Sequence, residues 1–127
     1  MKLRILGNSI RLRLTRGEVE RVCAGEWVEE RTHFAPAPAP ALVYRIGPGG
    51  DIDQARASFA EGRVSVELPA SFLAGWAENE VVGTEARQAL EGDASLRILV
   101  EKDFKCLAPR EDEDQSDAFA NPLESHG

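Results

Sequence analysis

Apolar and polar residues alternate along two short stretches at the start of the chain, Lys2–Leu6 and Ser9–Leu14, and again at Arg63–Leu68. Alternation of period two is the mark of a half-buried strand, because successive side chains leave opposite faces of the pleat. The second stretch sends Ile10, Leu12 and Leu14 to one face and Arg11 and Arg13 to the other. Between the first two stretches, Gly7-Asn8 has turn chemistry, since both residues tolerate positive φ. Thr15-Arg16-Gly17-Glu18 reads as a capping box that opens a short helix over 16–24, with Gly25 as its stop. Strands are predicted next over 27–34 and 41–46. They are separated by Ala35-Pro36-Ala37-Pro38-Ala39-Pro40, which favours an extended, stiff link. The pattern then predicts strands over 55–59 and 63–68, a helix after Pro69 reaching about residue 79, and strands over 81–86 and 95–101.

The second series repeats the first at an offset of 54 residues without gaps. Ile10, Leu12 and Leu14 recur as Val64, Val66 and Leu68. Val19, Val22 and Val28 recur as Leu73, Trp76 and Val82. Leu42, Tyr44 and Ile46 recur as Leu96, Ile98 and Val100. A fixed period of this kind sets architecture before any local reading. Each unit of about 50 residues is too small to bury a sufficient core alone, so the two are expected to share one. The expected organisation is a single domain over 1–108, made of repeats 1–47 and 55–101, followed by an acidic tail over 109–127.

Gly7-Asn8-Ser9, the alternating Ile10-Arg11-Leu12-Arg13-Leu14-Thr15 and the short helix after it resemble the first half of the AbrB/MazE family. In the second copy, Arg63-Val64-Ser65-Val66-Glu67-Leu68-Pro69-Ala70-Ser71-Phe72-Leu73 resembles the same strand-to-helix junction. The resemblance implies a mainly β fold with two short helices, a swapped-hairpin β-barrel. Family members usually build that barrel from two chains, so two units in one chain imply a single-chain pseudo-dimer, monomeric as it stands. The far end, with Glu101-Lys102-Asp103-Phe104-Lys105-Cys106-Leu107, Glu113-Asp114-Gln115-Ser116-Asp117 and Asn121-Pro122, is similar to an uncharacterised family of short bacterial proteins.

The net charge of −7 is unevenly spread. Residues 1–16 hold five basic residues and no acid, whereas 111–127 hold six acids and no Lys or Arg. The AbrB/MazE resemblance implies DNA binding through the basic N-terminal strands, where Lys2, Arg4, Arg11 and Arg13, with Arg16, match. Such residues neutralise phosphates. The second copy departs from this, placing Arg56, Ser58, Ser65 and Glu67 at the positions of Lys2, Arg4, Arg11 and Arg13. A reader of two half-sites needs charge on both halves, and the overall negative charge opposes phosphate. A protein partner is therefore favoured slightly over DNA. In MazE-like antitoxins an acidic C-terminal segment folds on a basic toxin. The resemblance gives that role here to Glu111, Asp112, Glu113, Asp114 and Asp117, with Phe119 as an apolar anchor. A free sheet edge is the alternative contact.

Other chemistry is weakly represented. His33 and His126 are the only histidines, and neither has a partner at catalytic spacing. The 112–117 run lacks the glycine and closing glutamate of a calcium loop. Cys23 and Cys106 match no zinc pattern and are expected as free thiols of a cytoplasmic protein, with a single bridge between them as the alternative. Trp27 and Trp76 are expected in the core. No apolar run approaches the roughly 20 residues a membrane helix needs. The expectation is a non-catalytic binding module without metal or cofactor.

Overall fold

The computed structural model describes residues 1–104, 117, 119 and 120. Eight strands and two short helices follow in the order β1 (Lys2–Leu6), β2 (Ser9–Leu14), α1 (Arg16–Cys23), β3 (Val28–Thr32), β4 (Leu42–Pro48), β5 (Arg56–Ala60), β6 (Arg63–Leu68), α2 (Ala70–Leu73), β7 (Gly83–Ala89) and β8 (Ser95–Lys102). The strands form two four-stranded sheets. Sheet A has the order β1-β2-β8-β7, and sheet B the order β3-β4-β6-β5.

Each sheet joins a hairpin from the first repeat to a hairpin from the second. The inner contacts are parallel, β2 with β8 and β4 with β6. The outer contacts are antiparallel hairpins. Period-two alternation accounts for what lies between the sheets. Leu12, Leu14, Ile46, Val66, Leu68, Ile98 and Val100 point inward and have no exposed surface, and Trp76 and Val22 complete the core. Burying one such side chain contributes about 1.5–3 kcal/mol, so these residues dominate the energetics.

The offset of 54 survives in three dimensions. Lys2 faces Arg13 as Arg56 faces Glu67, and Ser9 faces Arg97 as Arg63 faces Val43. The repeats part company in two places. The second helix was expected to reach about residue 79 but stops at Leu73, because Ala74 is extended and Gly75 takes a φ of 78°. The indole of Trp76 then donates to the Val81 carbonyl at 2.9 Å. The following strand also starts late. Thr84, not Val82, stands opposite Val100, so Val82 does not match Val28 and is 49% exposed.

The predicted barrel is not closed. No backbone ladder joins the sheets among the described residues, and β1, β7, β3 and β5 remain edges. A side chain spans one seam instead. Gln88 on β7 accepts from the Ala57 amide at 2.7 Å and donates to the Ala57 carbonyl at 2.9 Å, so a carboxamide does locally what a β5–β7 ladder would do.

The capping box forms as predicted. The Glu18 amide donates to Thr15 Oγ1 at 3.3 Å, and the Thr15 amide donates to Glu18 Oε1 at 2.9 Å. Burial would raise the Glu18 carboxyl, but the Met1 ammonium at 2.7 Å and the Thr15 bonds outweigh it and hold the group below its usual 4.5. A lowered folded value means the stabilisation is complete above the unfolded value and fades as pH falls through the folded one. Glu18→Gln is therefore expected to cost about 1 kcal/mol at pH 7. In urea melts across pH, that deficit should shrink as pH falls through the lowered folded value of Glu18, where the wild-type carboxylate becomes protonated.

A basic sheet face as the candidate functional site

Alternation on β1 and β2 puts Lys2, Arg4, Arg11 and Arg13 on the outer face of sheet A, while Leu3, Ile10, Leu12 and Leu14 line its inner face. The four cations meet as two like-charged cross-strand pairs, Lys2 opposite Arg13 and Arg4 opposite Arg11. They line a cleft of about 240 Å³ together with Leu3. The charge is partly compensated from β8 and the residue just beyond it. Arg11 Nε lies 2.8 Å from Glu101 Oε1, and Lys2 Nζ lies 3.3 Å from Asp103 Oδ2. The Glu101 oxygen nevertheless lacks a well-aligned hydrogen bond, and Arg13 Nε is buried without a partner.

The second repeat provides an internal control for this arrangement. At the same positions on the same fold, Arg56 faces Glu67 and Ser58 faces Ser65. Arg56 donates to both Glu67 carboxylate oxygens, at 3.1 and 3.3 Å. Opposed charges stabilise a cross-strand pair and like charges destabilise it, each by a fraction of a kcal/mol. The two copies thus carry different cross-strand charge patterns on the same register.

The remaining predicted residues do not gather with these four. Arg16 is exposed on α1 and lines a different cleft, of about 330 Å³, with Leu14, Val19, Glu78, Lys102 and Asp103. Lys102 there donates to the Asn79 carbonyl at 2.7 Å and sits over the Trp76 ring. Glu111, Asp112, Glu113 and Asp114 lie outside the described residues, as do Cys106 and His126. Asp117 and Phe119 are described and exposed, Phe119 fully.

Trp76 is buried as expected, but Trp27 is not a core residue. It lies half-buried on the outer face of sheet B, over Gly47 and 4.5 Å from the Arg45 guanidinium. A Cβ at Gly47 would meet the indole at 2.2 Å, which explains the glycine in mid-strand. Cys23 is half-buried, and burial pushes its thiol up, which disfavours the reactive thiolate. His33 is exposed. Among the described residues no group of three or more His, Cys, Asp or Glu could hold a metal ion, and no helix is long and apolar enough to cross a membrane.

Two residues of the basic face were not singled out in the sequence. Arg97 on β8 and Arg87 on β7 also point outward from sheet A and face each other. Alternation within 95–101 places Arg97 on an outer face. Which sheet that face belongs to depends on pairing with β2, 88 residues away at the Ser9 contact, and no local pattern encodes it.

Arg4→Ser puts at position 4 the residue that the second repeat has at Ser58 and removes the Arg4–Arg11 like-charge pair. Thermal melts at low salt are expected to show no loss of stability and a gain of about 0.3 kcal/mol. A loss above about 1 kcal/mol would mean that Arg4 is held for packing.

No curated protein and no solved structure matches the chain. Residues 1–123 match a Family of unknown function (DUF7009), and the chain belongs to that family.

Proposed function

We propose that the protein is a non-catalytic binding module whose working surface is the basic outer face of the β1–β2 hairpin, and that its ligand is nucleic acid, engaged through phosphate. The carrying observation is the pair of like-charged contacts, Lys2 with Arg13 and Arg4 with Arg11, at positions where the second repeat has Arg56 with Glu67 and Ser58 with Ser65. Crowding four cations into two adjacent cross-strand pairs costs stability. A polyanion removes that cost on binding and gains further from counterion release. In this reading the two repeats are an AbrB/MazE-like pseudo-dimer of swapped hairpins in one chain. The sheet orders support it, since β1–β2 pairs with β8–β7 and β5–β6 pairs with β4–β3.

The preference for a protein partner reverses here, because the basic residues of the first hairpin converge on one sheet face. A protein partner held by the tail remains the second reading, favoured by the full exposure of Phe119 beside the exposed Asp117.

Fluorescence anisotropy with a random duplex tests the proposal. Binding at about 50 mM salt is expected to weaken by orders of magnitude at about 200 mM. The double change Arg11→Glu with Arg13→Glu is expected to abolish it, and Arg13→Gln to weaken it without unfolding, as thermal melts of both variants will show. Equal affinity for the double variant, if it is folded, would defeat the proposal.

A further inference from the structure

Sheet A carries three like-charged cross-strand pairs: Lys2 with Arg13, Arg4 with Arg11, and Arg97 with Arg87. Sheet B carries none. Its corresponding outward pairs are Arg56 with Glu67, Ser58 with Ser65, and Arg31 with Val43. The third pair of sheet A belongs to the second repeat, and only the exchange of hairpins brings it onto the face built by the first. Across the strand order β1-β2-β8-β7, one outward row reads Lys2, Arg13, Glu101, Gly83. The next reads Arg4, Arg11, Leu99, Glu85, and the third reads Leu6, Ser9, Arg97, Arg87. The six cations therefore lie along a diagonal. It starts at the β1 corner with Lys2 and ends at the opposite corner with Arg87.

Among the described residues, carboxylates that touch this band include Glu101 on Arg11, Asp103 on Lys2 and Glu85 on Arg97, the last at 2.6 Å. The Arg97 contact holds the Glu85 carboxyl below its ordinary range. The band gathers six cations on one face of a chain whose net charge is −7. Strands about 4.8 Å apart and rows about 6.8 Å apart make the diagonal about 20 Å long. One strand of a duplex carries a phosphate every 3.4 Å or so along the axis, so the band spans on the order of five or six phosphates. No aromatic side chain points outward from the four strands of sheet A among the described residues. Recognition of unpaired strands relies on stacking against such rings. Their absence favours a duplex gripped by its backbone.

We propose, building on the reading above, that the nucleic-acid surface is this whole diagonal, and that one chain binds one tract of duplex through Arg87 and Arg97 as well as the first hairpin. The puzzle of a pseudo-dimer basic in only one repeat then dissolves. The charge is gathered on one sheet, not shared between two half-sites, so a palindromic target is not required.

The test uses the full chain, a random duplex of about 20 base pairs and a dT oligomer of equal length, titrated by anisotropy at several salt concentrations. Arg87→Glu is expected to weaken duplex binding tenfold or more, and Arg87→Lys to restore most of it. Arg87→Gln is expected to lower the slope of log K against log salt by about one. Arg87 is exposed, and melts of each variant confirm folding. If the double change at Arg11 and Arg13 abolishes binding while Arg87→Glu leaves it intact, the diagonal is wrong and the hairpin reading stands. If the wild type binds no duplex at about 50 mM salt, the hairpin reading fails and the diagonal with it. Tighter binding to the dT oligomer than to the duplex would overturn the assignment of a duplex.

Discussion

The two parallel ladders, β2 with β8 and β4 with β6, are the contacts on which the rest of the molecule depends. Each joins a strand of one repeat to a strand of the other, so neither sheet exists until both halves of the chain are present. A lone repeat would hold two hairpins whose inner edges were unpaired and whose apolar faces met water. Isolated hairpins are at best marginal, and unpaired edges invite association. Interlocking solves both problems, and the inward residues from Leu12 to Val100 then merge into one core.

The same constraint shapes the surface. Because each sheet joins a hairpin of one repeat to a hairpin of the other, the outward residues of β8 and β7 share a face with those of β2 and β1. Charges 85 residues apart in sequence, such as Lys2 and Arg87, become members of one sheet. The first hairpin of each repeat has the same register, and the chain charges the two differently. Sheet B settles its outward charges into opposed pairs, and Arg45 donates to Ser65 and stacks on Trp27. Sheet A keeps its cations together on one outer face.

Much of this was legible in the sequence because the signals are local. Alternation marked β1, β2 and β6, Thr15 with Glu18 marked the start of α1, and the offset of 54 paired the repeats. What escaped was either a local exception or a long-range consequence. Gly75 at positive φ ends α2 early, and the late start of β7 turns Val82 out to solvent. Trp27 looked like core but lies flat on Gly47, a contact that needs the two strands' actual register. The sheets stay separate, and the Gln88 side chain that bridges one seam is announced by no backbone pattern. Arg87 stayed hidden because its face is defined by a strand from the other repeat.

Native-state hydrogen exchange tests the interlocked core most directly. The amides of Leu12 and Val100 in sheet A and of Ile46 and Val66 in sheet B should open with one free energy, equal to that of global unfolding measured by urea. If the central strands of one sheet exchange at a distinctly lower free energy than those of the other, the sheets are separable units and the account is wrong.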